Sequence, residues 1–154
     1  MGQIRIIGSK DFIETTKKAL YLIKEKDPIN YKIVIQNIGA IVLNKVTYNS
    51  YFDAFQEVPT FFVNEKTYKH NIEWYASGIV HEGYHGKLFQ DAILDDEDPI
   101  QVYSGYEAEM YCLTKQIESM RRLGACKKDI EWAVSCYDKR WWEEKPKKRR
   151  KRKL

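Results

Sequence analysis

Apolar residues recur at a helical period in three long stretches of the chain and alternate or run together in shorter ones. Over residues 10–25, Ile13, Ala19, Leu20 and Ile23 fall at roughly helical spacing with lysines and glutamates between them, so a first helix is expected there. Ser9 or Asp11 would cap it, and Asp27-Pro28-Ile29-Asn30 reads as its break. Tyr31 to Gln36 is β-branched and alternating, which predicts a strand, with Gly39 to Leu43 as its hairpin partner. Val46 to Phe55 reads as a strand end and a loop. Pro59-Thr60-Phe61-Phe62-Val63 is a short apolar strand, placed at a sheet edge because proline cannot donate to a ladder.

A longer helix is expected over residues 71–89, with Asn71 as its cap. Ile72, Tyr75, Ala76, Ile79 and Gly83 make one apolar or small stripe, and Trp74, Ser77, Val80 and Leu88 flank the other side. A helix apolar on both sides belongs at the centre of a fold. Asp95 to Asp98 reads as a solvated loop; calcium would want alternating ligands and a turn glycine. The next helix spans 103–123, with Tyr106, Met110, Leu113, Ile117 and Met120 as its buried stripe and Gly124 as its stop. A last helix is expected over 127–142. The fold class that follows is α+β: a small antiparallel or mixed sheet packed on the central helix and two or three further helices.

Composition narrows the function classes. The chain has 154 residues, 44% of them hydrophobic, which suits one folded domain. No run of about 18 apolar residues occurs, so no membrane span is expected. The start, Met1 to Ile7, lacks the basic-then-apolar layout of a signal peptide. Three cysteines, Cys112, Cys126 and Cys136, form no close pair and read as reduced thiols in a cytoplasmic protein. The net charge of +4 conceals two parts, because residues 145–154 carry eight of the 26 Lys and Arg and no acid. The remaining 18 bases face 22 acids, leaving −4 over positions 1–144. The expected organisation is therefore a mildly acidic domain, 1–144, and a disordered basic tail, 145–154. Such a tail suits nucleic acid or an acidic partner, or serves only as a solubilising end.

The candidate chemistry lies on the central helix, in His81-Glu82-Gly83-Tyr84-His85. Two histidines four apart lie one turn apart on one helical face, close enough to share a tetrahedral cation. Glu82 follows the first and is placed to act as a general base. A catalytic zinc takes three protein ligands and an open position. His70 lies about three turns from His81 and is set aside. Glu107 and Glu109, at the start of the next helix, are the candidates for the third ligand. Counting 100° per residue puts Glu109 nearer the buried stripe.

His81-Glu82-x-x-His85 with a Glu on a following helix resembles the gluzincin zinc metallopeptidases in their smallest, single-domain form. The resemblance covers roughly residues 59–124. It implies a zincin-like fold with Zn²⁺ held by His81, His85 and Glu109, and Cys112 as the small residue three after the glutamate. Glu107 stays the alternative ligand, with Met110 then in that place. The implied reaction is hydrolysis of a peptide bond in a peptide or protein substrate, with Glu82 as general base. Thr60 to Val63 would hold the extended substrate, and Tyr84, Tyr103 and Tyr106 are candidate oxyanion donors. The competing reading is a non-catalytic binding or scaffold protein on the same fold, interacting through its basic tail.

Overall fold

Ser9 starts the first helix by accepting the Phe12 N–H on its hydroxyl, and the helix α1 (Lys10–Lys26) buries Phe12, Thr16, Ala19 and Ile23. The computed structural model describes residues 3–47 and 49–138. Before α1 lies a three-residue strand, β1 (Arg5–Ile7), which the sequence pattern did not indicate.

The segment expected to be a strand over 31–36 is a helix, α2 (Pro28–Asn37). Pro28 occupies its first turn, where a missing N–H costs nothing, so the supposed breaker is a helix start. The β-branched preference of Ile33-Val34-Ile35 is overridden by packing. Asn30, Val34 and Asn37 form the buried face of α2, at spacings of four and three. Asp27, 2% exposed, sits between α1 and α2 and accepts from Asn30 Nδ2 at 2.8 Å and from Ser119 Oγ at 2.7 Å.

There is consequently no 31–43 hairpin. Strand β2 (Ala40–Leu43) pairs in parallel with β1 and with β4 (Thr60–Val63), and β3 (Tyr51–Asp53) runs antiparallel to β4. The order β1-β2-β4-β3 puts β4 inside the sheet and β3 at its edge, which corrects the placement of Thr60–Val63 as the edge strand. Pro59 is compatible with this because it contributes as an acceptor: its carbonyl takes the N–H groups of Gly39 and Ala40 at 2.8 and 3.2 Å.

After a short helix α3 (Glu65–Lys69), Asn71 caps the central helix α4 (Ile72–Leu94), which runs one turn past its expected end. Two more helices follow, α5 (Pro99–Tyr103) and α6 (Tyr106–Leu123). Gly105, at φ 91°, separates them where one helix from 103 was expected. Gly124 at φ 80° ends α6, and α7 (Lys127–Ser135) closes with a 3-10 turn at Cys136–Asp138. Residues 139–142 of the expected last helix, and the tail 145–154, lie outside the described residues.

Helix α4 packs against α1, α2, α5 and α6, and its buried positions run from Tyr75 to Ala92 around most of its circumference. Gly83 and Gly86 let α2 approach at backbone distance. A Cβ on Gly83 would stand 3.3 Å from Val34 Cα, and one on Gly86 only 2.6 Å from Asn37 O. The architecture is α+β with a small mixed sheet, and none of the described helices is long and apolar enough to cross a membrane.

Candidate metal centre

The glycine face of α4 is spent on α2, which leaves His81 and His85 turned toward α5 and α6. Their rings lie one above the other, with centroids 5.0 Å apart and the two Nε2 atoms 3.2 Å apart. Glu109, in the first turn of α6, meets both: Oε1 is 3.2 Å from His81 Nε2 and Oε2 is 3.0 Å from His85 Nε2. One ligand atom from each of the three residues lies within 4.8 Å of the others. Glu107 is exposed and outside this cluster.

Both imidazoles are held from behind. His81 Nδ1 lies 2.8 Å from Gln116 Oε1, and His85 Nδ1 lies 2.7 Å from the carbonyl oxygen of Tyr103. The Gln116 amide is itself oriented. Its Nε2 donates to Ser77 Oγ at 3.3 Å, and the Ser77 hydroxyl donates to Trp74 O at 2.7 Å. Ser77 therefore accepts from the amide nitrogen, which turns Oε1 onto His81. Both Nδ1 atoms then carry their protons, and both Nε2 lone pairs are free to face one point. Outer hydrogen bonds of this kind fix tautomer and ring direction in metal sites.

The electrostatics of the metal-free cluster agree. Burial works against charge on Glu109, but hydrogen bonds from His81 and His85 outweigh it and hold the carboxyl well below its usual range. Burial likewise works against charge on His85, yet hydrogen bonds with Cys112 and Glu109 and the charge of Glu82 raise it well above the ordinary histidine value.

Glu82 is half-buried and lines the cleft beside this cluster. Burial raises its carboxyl, the neighbouring histidines pull it back and Glu109 adds to the rise. The cleft has two lobes that share His81, Glu82, Glu109 and Ser50. One, of about 260 Å³, is walled by Tyr51 and Phe52 of the edge strand and by Tyr103 and Ser104. The other, of about 210 Å³, is walled by Phe61, Trp74, Leu113 and Trp132.

Of the tyrosines considered as oxyanion donors, Tyr84 is turned away, its hydroxyl donating to Asn30 Oδ1 at 2.5 Å on the α2 side. Tyr106 does not line the cleft, and Tyr103 does. His70 bonds Asp129 at 3.1 Å and takes no part in the cluster. Asp95 to Asp98 form an exposed loop, in which Asp98 caps α5 through Ile100 N–H. Cys112 is fully buried at the α4–α6 contact. The ring-orienting roles of Gln116, Ser77 and the Tyr103 carbonyl escaped the sequence reading. Spacing offered a signal for two of them: Ser77 is one turn before His81, and Gln116 two turns after Glu109 on the same face.

Comparison of the chain with known family models, with curated proteins and with solved structures gives no match in any of the three.

Proposed function

We propose that the protein is a zinc-dependent, peptidase-like hydrolase on a zincin-like fold, with His81, His85 and Glu109 as the metal ligands and Glu82 as the general base. The observation that carries this reading is the pair of back-bonded imidazoles. With Nδ1 of His81 on Gln116 and Nδ1 of His85 on Tyr103 O, both Nε2 atoms converge on the Glu109 carboxylate. Two nitrogens, one oxygen and an open cleft fit the donor set of a catalytic zinc. Glu109 rather than Glu107 is the third ligand because only Glu109 reaches both rings.

When bound, Zn²⁺ is a Lewis acid that makes water nucleophilic near neutral pH. Glu82 holds a carboxylate in the same cleft, where it takes a proton from the attacking water and returns it to the leaving amine. Its raised basicity, set by burial, suits that exchange. The edge strand β3, whose Tyr51 and Phe52 line the lobe of about 260 Å³, is the element on which an extended peptide can lie by strand addition. This replaces Thr60–Val63, which is paired on both sides. Tyr103 is the tyrosine placed to face the substrate.

Cys112, Cys126 and Cys136 form no disulfide among the described residues, which supports a cytoplasmic, reducing location. The basic residues 145–154 suit a nucleic acid or an acidic protein partner, and such binding should weaken steeply with salt. The hydrolase reading is tested by Glu82→Gln in a general peptide-hydrolysis screen with parallel metal analysis. The variant should keep zinc and lose turnover. Equal rates in variant and wild type remove Glu82 from the mechanism. A zinc-loaded wild type that cleaves nothing favours the non-catalytic alternative.

A further inference from the structure

Six of the seven described glycines have a reason in the fold. Gly105 and Gly124 have positive φ, and a Cβ on Gly8, Gly39, Gly83 or Gly86 would strike a neighbour closer than 3.3 Å. Gly78 has neither reason. It sits inside α4 with no positive φ, and a Cβ built there meets nothing within 4 Å. A glycine inside a helix is less stable than alanine, through backbone entropy, and folding gains nothing from this one.

The space that its missing side chain leaves is part of the cleft. Gly78 lines the apolar lobe, one turn before His81 and Glu82. Opposite stand Leu113 of α6 and Trp132 of α7, with Trp74 beside Trp132 in an edge-to-face contact at 5.1 Å. Trp132 is brought there by the docking of α7. Asp129, one turn earlier, accepts from Asn71 Nδ2 at 2.9 Å and bonds His70 Nε2 at 3.1 Å, so α7 is tied to the start of α4.

We propose that Gly78 is a specificity-determining position, and that the chamber between Gly78, Trp74, Leu113 and Trp132 receives a large apolar side chain of a peptide substrate. The inference rests on the hydrolase reading, which places the substrate backbone at Glu82 and Glu109. A lobe of about 210 Å³ walled by two indoles and a leucine suits an aromatic or branched aliphatic group. Any side chain at position 78 would project from the helix into that volume.

The test uses zinc-loaded full-length protein and two hydroxamates that differ only in apolar bulk, acetohydroxamic acid and 3-phenylpropanohydroxamic acid, titrated by calorimetry. Wild type should bind the phenyl compound at least about tenfold more tightly, the contribution expected of one buried ring or more. In Gly78→Leu that ratio should fall to about one. Gly78→Ala should show a smaller fall and, because the helix gains, a melting temperature at or above wild type. A ratio that survives in Gly78→Leu overturns the proposal, and so does a Gly78→Ala protein that melts lower than wild type. If acetohydroxamic acid binds and the phenyl group adds nothing, the chamber is refuted and the metal centre stands. If neither compound binds, the open metal position and the chamber fall together.

Discussion

Gln116 Oε1 accepts the Nδ1 proton of His81 at 2.8 Å across the α4–α6 contact, and the same amide is anchored through Ser77 to the backbone of Trp74. The relationship ties the direction of the His81 ring to the packing of two helices. Gln116 is only 9% exposed, and a leucine in its place offers His81 Nδ1 no acceptor. Gln116→Leu should therefore weaken zinc binding about 10–100-fold, the usual effect of losing an outer-shell partner. Ser77→Ala should have a smaller effect in the same direction. Competition titration with a zinc-sensitive chelator measures both.

Protons and metal compete for the same Nε2 atoms, so zinc affinity should fall with falling pH. His85 titrates well above the usual histidine value in the metal-free protein, because its bonds to Cys112 and Glu109 outweigh burial. Loss of affinity should thus begin above about pH 6.5, the ordinary histidine value, rather than at it. Glu109, held low by the two histidines, stays ionised throughout that range and adds no proton of its own. Calorimetric titration with zinc in buffers of different ionisation enthalpy should show net proton release.

The same two shifts set the stability of the metal-free chain. A raised histidine contributes stability below its unfolded value and loses it as pH rises through the folded one. A depressed carboxyl contributes above about 4.3 and loses it as pH falls. The metal-free protein should accordingly become less stable on moving from near neutral to more alkaline pH through the raised His85 value. Zinc should abolish that decline, since it takes the place of the protons. Melting temperatures across pH, with and without zinc, test this.

The α2–α4 crossing gives a further prediction. Gly86→Ala would force a Cβ to within 2.6 Å of the Asn37 carbonyl oxygen, which is backbone and cannot swing away. It should cost about 1–3 kcal/mol, as overpacking of a tight interior does. Because Gly86 adjoins His85, zinc affinity should fall with it. Denaturant unfolding, compared with Gly78→Ala as the substitution in open space, measures the difference.

Asp27 is the other interior commitment. Its carboxylate takes Asn30 Nδ2, Ser119 Oγ and, at 3.3 Å, Arg122, and Asn30 passes the network on to Tyr84. Asp27→Ala leaves the buried donors of Asn30 and Ser119 without their acceptor and should destabilise the fold by about 3 kcal/mol. Equilibrium unfolding of the single variant checks the magnitude.

The parts of the fold that local pattern could announce were announced. Helices α1, α4 and α6 have long apolar stripes, and the caps at Ser9, Asn71 and Gly124 are in place. The shared face of His81 and His85 was readable, because helical spacing alone decides which residues share a face, whereas the choice between Glu107 and Glu109 follows only from the packing of α6 on α4. What failed was non-local. Ile33-Val34-Ile35 prefers a strand by itself and becomes helical because Pro28 starts a helix and because Gly83 and Gly86 offer α2 a seat. Thr60–Val63 was placed at the sheet edge because Pro59 lacks a donor, whereas Pro59 serves the sheet through its carbonyl and the strand is paired on both sides. The Tyr103 carbonyl could not be foreseen, since a backbone acceptor leaves no mark in residue type.

The central claim is that His81, His85 and Glu109 share one divalent cation. The most direct measurement is equilibrium dialysis of chelator-stripped protein against zinc, followed by elemental analysis. The account predicts one zinc per chain for wild type and for Glu82→Gln, and loss of tight binding in His85→Ala and Glu109→Ala. A wild-type chain that folds but takes up no zinc, or His85→Ala and Glu109→Ala proteins that bind it as tightly as wild type, would contradict it.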